Sequence, residues 1–128
     1  MRYLLDTHTF LWMAADPAML SRDVREIVAR RSSRLYLSAA SGWELALLAH
    51  LGRIRLPDDP QRFVPEAIRQ LHVTPVPIGF AIAITAAGLP LIHRDPFDRV
   101  IIAEALREKM TVLTKDEKFS SYGISIRW

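Results

Sequence analysis

The 128-residue chain has no cysteine, which excludes disulfides and thiolate metal sites and fits a reducing cytoplasm. Any metal must therefore be held by oxygen or by histidine. No apolar run approaches the ~18 residues of a membrane span. The N-terminus, MRYLLDTHTFLW, carries an acid where a signal peptide would be apolar. Internal repeats, low-complexity tracts and linkers are also missing, so residues 1–128 are expected to form one domain, long enough to bury a full core. Lysine is scarce: of 17 basic residues 14 are arginine, and against 14 acids the net charge is +3. Arginine's planar fork suits phosphate, a weak pointer to nucleic acid. Half the residues are hydrophobic and 24% are charged, the profile of a folded soluble protein.

The apolar pattern alternates between short strands and helices. "RYLLD" (2–6) reads as a strand, followed by a helix holding Phe10, Leu11 and Trp12. Ser21 caps "SRDVREIVARR", with Val24, Ile27 and Val28 on one face. "LYLS" (35–38) is a strand running into "AASGWELALLAHLG", a helix ended by Gly52. A further helix is expected to open at Pro65, and a brief strand near 73–78. "FAIAITAAG" is an apolar helix, as is 97–110. "TVLT" (111–114) is a strand, "DEKFSSY" a turn or short helix, and "ISIRW" a last strand. Strands that alternate with helices and lack strict polar alternation predict an α/β fold, a central parallel sheet flanked by helices on both faces. Sites in such sheets lie beyond the carboxyl ends of the strands, where strand order reverses.

Four acids stand at that edge. Asp6 ends the first strand, Glu44 lies in the first turns of the helix after the second, Asp98 opens a long helix, and Asp116 follows "TVLT" by two residues. Each also has a purely structural explanation. Asp6 can cap the helix at Thr7, Ser41 and Glu44 fit a capping box, and Asp116 can cap "DEKF". In "HRDPFD", Asp95 can be an N-cap, Pro96 the first helical residue and Asp98 a first-turn charge favoured by the helix dipole. Position alone leaves both readings open. Carboxylates gathered at one crevice repel one another unless a cation joins them, and hard oxygen donors select Mg²⁺ or Mn²⁺. With four acids committed to a metal, 17 bases against 10 acids leave a basic surround of +7.

Four segments, "YLLDTHTFLW", "SAASGWELALLAHLGRIRL", "HRDPFDRVIIAEA" and "LTKDEKFSSYGI", span nearly the whole chain. In this order and spacing the sequence resembles the PIN-domain ribonucleases, and within them the VapC-type toxins of bacterial toxin–antitoxin pairs. The resemblance implies a PIN-like fold and places metal ligands and catalysis at Asp6, Glu44, Asp98 and Asp116. Thr114 corresponds to a supporting hydroxyl, and Asp95 is a helper residue of the "HRDPFD" branch. The implied activity is Mg²⁺- or Mn²⁺-dependent endonucleolytic cleavage of cellular RNA such as tRNA or rRNA, with water as nucleophile. Implied partners are the RNA, a cognate small antitoxin and a second copy in a homodimer. Arg94, Arg99, Lys115 and Lys118 flank the acids and are candidates for phosphate contacts.

His8 and His93 lie close in sequence to site acids, so either is a candidate for contacting RNA, though a histidine so placed is more commonly not a ligand. Trp12 and Trp43 are expected in core or partner-facing packing, and the apolar residues of "TFLWMAA" and "LALLAHL" suit either. A PIN nuclease of RNA processing outside any toxin pair is the nearest alternative. A receiver domain would need an acid pair near the N-terminus and a lysine past the last strand; here Asp6 stands alone and the chain ends "IRW". A non-catalytic RNA-binding module would not gather four acids where RNA binds.

Overall fold

The computed structural model describes residues 1–128. Five parallel strands, β1 (Arg2–Leu5), β2 (Arg34–Ser38), β3 (Val73–Val76), β4 (Thr111–Leu113) and β5 (Ile126–Arg127), form one sheet in the order β3-β2-β1-β4-β5. Six helices join them: α1 (Thr7–Ala15), α2 (Arg22–Ala29), α3 (Ala39–His50), α4 (Pro60–Gln70), α5 (Phe80–Gly88) and α6 (Pro96–Glu108). Short 3₁₀ turns cover Pro17–Met19 and Glu117–Tyr122. From β1 the chain winds outward through β2 to β3, then returns to the other side of β1 with β4 and β5. The strand order therefore reverses between β1 and β4, and a crevice opens at their carboxyl ends.

Because side chains alternate across a strand, the central strands need apolar residues in both registers. In β1, Tyr3 and Leu5 pack with Phe10, Ile27, Leu45 and Val64 from α1 to α4 on one face. Leu4 points the other way, into Ile101, Ile102 and Ala105 of α6, with Val112 of β4 and Phe119. Burying each such side chain contributes roughly 1.5–3 kcal/mol. Helix α5 sits outside α6, through Ile82, Ala86 and Ala103. Pro75 is tolerated because β3 is an edge strand.

The helix expected to open at Pro65 instead begins at Pro60, with Asp59 as its N-cap accepting from Gln61 N at 2.8 Å. Asp59-Pro60 is the cap-plus-first-residue signal. Pro65 lies inside the helix, held there by the burial of Val64 and Ala67 against the sheet. The capping box assigned to Ser41 and Glu44 is not formed. Ser38 caps α3, accepting from Ala40 N at 3.1 Å, and Ser41 accepts the Thr7 hydroxyl at 2.9 Å. Ser21 caps α2 as expected, bonded to Val24 N at 3.1 Å. The fold thus leaves the N-termini of α1, α3 and α6 and of the last 3₁₀ turn around one crevice.

Candidate metal centre

That crevice is a cavity of about 360 Å³ lined by Asp6, Glu44, Asp95, Asp98 and Asp116, with His8 and Lys115 at its edge. The four acids predicted from sequence, together with Asp95, do converge. Asp6 is both the last residue before α1 and its N-cap: Oδ1 accepts from Thr7 N at 2.7 Å, and Oδ2 accepts from Thr114 Oγ1 at 2.7 Å. Thr114 Oγ1 in turn accepts from Asp116 N at 3.0 Å, so one hydroxyl ties the ends of β1 and β4 together. Asp116 caps the 3₁₀ turn through Oδ1 (Lys118 N, 2.9 Å), and its Oδ2 lies 2.8 Å from His93 Nε2. Asp95 caps α6, accepting from Phe97 N at 2.9 Å and Asp98 N at 3.4 Å. Asp98 is left free of capping. For Asp6 and Asp116 the structural and chemical readings coexist: each caps through Oδ1, while Oδ2 takes one side-chain hydrogen bond, from Thr114 Oγ1 and His93 Nε2 respectively, and keeps a second lone pair.

The electrostatics are those of an anion cluster short of a cation. Burial pushes the Asp98 carboxyl up to about 8, helped by the charges of Asp6, Asp95, Glu44 and Asp116. Burial also raises Asp6, offset in part by the Thr114 hydrogen bond. Glu44 is raised by burial, an effect the nearby Thr7 hydroxyl opposes and the charges of Asp95 and Asp6 reinforce. Its Oε1 is buried with no hydrogen-bond partner. A buried carboxylate oxygen left unpaired among like charges is costly, and a hard divalent cation satisfies both deficits. The donor set therefore fits Mg²⁺ or Mn²⁺.

His93 joins this cluster, which sequence reading had not placed there. Only 9% exposed, it brings Nε2 to 2.8 Å from Asp116 Oδ2 and 3.0 Å from Asp98 Oδ2. One ligand atom from each of His93, Asp98 and Asp116 lies within 4.8 Å of the others. Its sequence signal was slight: a histidine two residues before a helix cap.

Arg99, expected to hold phosphate, is placed elsewhere. It is 6% exposed, and its guanidinium donates to the carbonyls of Ala87, Leu89, Pro90 and His93 at 2.6–3.1 Å. It points back from the helix into the preceding loop. Arg94, Lys115 and Lys118 are exposed, and Lys115 borders the cavity. His8 is exposed there too. Trp12 is half-buried against Trp128, whereas Trp43 is 62% exposed and stands edge-on to Phe97. With Leu47 and Leu51 it forms an exposed apolar stripe at four-residue spacing along and just past α3. No helix is long and apolar enough to cross a membrane.

Comparison with known proteins agrees with this architecture. The chain is 33% identical over 120 residues to Ribonuclease VapC22 of Mycobacterium tuberculosis, covering 93% of this chain and 90% of that protein. Among solved structures, VapBC2 from Rickettsia felis bound to a promoter DNA fragment superposes with a TM-score of 0.73 at 14% identity, over 99% of this chain and 98% of that one. FitAB bound to the IR36 DNA fragment gives a TM-score of 0.68 at 19% identity, over 98% and 93% of the two chains. FitAcB from Neisseria gonorrhoeae gives 0.61 at 22% identity, over 97% and 95%. The PIN domain model matches residues 3–124. The chain belongs to the PIN-domain family.

Proposed function

We propose that the protein is a Mg²⁺- or Mn²⁺-dependent endoribonuclease and the toxin of a toxin–antitoxin pair, acting in the cytoplasm on cellular RNA such as tRNA or rRNA. The observation that carries the reading is the convergence of Asp6, Glu44, Asp98 and Asp116 on one cavity, with Glu44 Oε1 unpartnered. The four carboxylates would hold the ion. When bound, the cation supplies Lewis acidity at the phosphodiester and makes water a competent nucleophile near neutral pH. The reaction is hydrolysis: a water oxygen bonds to phosphorus as the P–O bond to the leaving ribose oxygen breaks.

The chain's own residues prepare this. Thr114 donates its hydroxyl proton to Asp6 and accepts from the backbone N–H of Asp116 at the same oxygen, so it orients both Asp6 and the Asp116 turn. Asp95 fixes the start of α6 and hence the direction of Asp98. Lys115 at the rim, with exposed Arg94 and Lys118, attracts the phosphate backbone and offsets the anionic cluster at the approach. The stripe Trp43, Leu47 and Leu51 suits an apolar partner segment, either of the antitoxin or of a second copy. The relatives named above as VapBC2 and FitAB support an antitoxin partner.

Purified protein should cleave RNA with Mg²⁺ or Mn²⁺ and stop in EDTA; cleavage surviving thorough chelation contradicts the reading. Expressed alone it should arrest growth, and Asp6→Asn should relieve the arrest at unchanged protein level. Equal toxicity of Asp6→Asn would assign the arrest to another cause.

A further inference from the structure

We propose that His93 is a positioning residue, whose Nε2–H holds the carboxylates of Asp98 and Asp116 together, and that it is not itself a metal ligand. The inference rests on the metal-dependent reading of the site. Three observations carry it. The first is that the backbone of His93 is fixed at both of its polar groups. Its carbonyl accepts from the buried Arg99 guanidinium at 2.9 Å, and its N–H donates to Tyr122 Oη at 2.7 Å. Tyr122 Oη also donates to Pro90 O at 2.6 Å, so the loop leading to His93 is clamped from two directions.

The second is the ring's orientation. The imidazole stands edge-on to Phe119, with centroids 5.6 Å apart and planes at 87°. Nδ1 accepts from the backbone N–H of Asp95 at 3.3 Å. A ring nitrogen that accepts carries no proton, so the proton is on Nε2. The third is what Nε2 faces: Asp116 Oδ2 at 2.8 Å and Asp98 Oδ2 at 3.0 Å. A protonated Nε2 has no free electron pair for a metal. It is a donor shared by two acceptors, and it holds the Asp98 and Asp116 carboxyl groups at a fixed separation. The close spacing of His93, Asp98 and Asp116 thus resembles a three-ligand site but has the hydrogen-bonding logic of a brace. The tautomer is set by the same Asp95 that caps α6, so cap, brace and ligand are one unit of the "HRDPFD" sequence.

The test combines Mn²⁺ titration calorimetry with long-range ¹H–¹⁵N NMR of the imidazole. In wild-type protein His93 should be the Nε2–H tautomer both in EDTA and in saturating Mg²⁺. His93→Leu should bind Mn²⁺ about tenfold more weakly or worse, and His93→Gln, whose amide N–H reaches the place of Nε2, should recover most of that loss. Three results overturn the proposal: a shift of the proton to Nδ1 on adding Mg²⁺, wild-type affinity in His93→Leu, or no recovery in His93→Gln. The tautomer is read on the wild type, so it decides the matter even where His93→Leu fails to fold. Wild-type protein that binds neither ion would instead remove the metal reading, and the inference with it.

Discussion

Replacing Asp98 by Asn separates a metal ligand from a helix-dipole charge, because the two roles predict stability changes of opposite sign. In the metal-free protein burial and four neighbouring acids raise the Asp98 carboxyl from 3.8 to about 8. Between those values the folded state binds the proton more tightly than the unfolded chain. Its stability therefore falls as pH rises through that window, by at most about 1.4 kcal/mol per pH unit, and levels off above it. Asn is neutral at every pH and its Oδ1 can still accept from His93. Asp98→Asn should thus match wild type near pH 4 and exceed it increasingly toward pH 8, with an upper limit of about 5 kcal/mol. A charge serving only the helix start would give the reverse, a loss of about 0.3–1 kcal/mol near neutral pH. The assay is urea unfolding followed by circular dichroism in EDTA, from pH 4.5 to 8.5. With Mn²⁺ at about 100 times its Kd, wild type should gain about 2.7 kcal/mol and Asp98→Asn far less. An Asp98→Asn protein that is destabilised, keeps the wild-type pH slope and gains normally from Mn²⁺ would refute the reasoning.

Glu104 is buried in α6, accepts only from Ser38 Oγ at 3.1 Å, and is raised by burial from 4.5 to about 7. Its folded-state pKa also lies above the unfolded one, so Glu104→Gln should leave stability at pH 4 unchanged and raise it at pH 8 by up to about 3 kcal/mol in the same unfolding assay. A variant that is less stable at pH 8 would contradict this. Arg99→Lys keeps the charge but loses the planar fork that reaches four carbonyls, and should destabilise by about 2–3 kcal/mol. Hydrogen exchange should quicken in residues 87–93; unchanged exchange and stability would contradict the clamp.

The parallel sheet was legible because its central strands are apolar in both registers, as Tyr3, Leu4 and Leu5 are. The start of α4 was misread because two prolines, Pro60 and Pro65, both fit the rule for a first helical residue, and only packing of Val64 and Ala67 distinguishes them. The acids were legible as positions just past strands, and the resemblance assigned them a role that position left open. Arg99 was not legible: next to Asp98 in sequence, it leaves the helix on the other side, toward the carbonyls of its own loop. His93 was legible only as a neighbour of the acids in sequence, for the converse reason. Its role depends on Asp116, twenty-three residues away, and on a backbone clamp that no local pattern encodes.

The central claim is that carboxylates from four distant segments act as one metal site for RNA cleavage. Mn²⁺ titration calorimetry of Asp6→Asn, Glu44→Gln, Asp98→Asn and Asp116→Asn, with RNA cleavage measured on the same samples, tests it most directly. The account predicts that each folded variant loses Mn²⁺ affinity and cleavage together. A folded variant at any of the four positions that keeps both wild-type affinity and wild-type cleavage would contradict it.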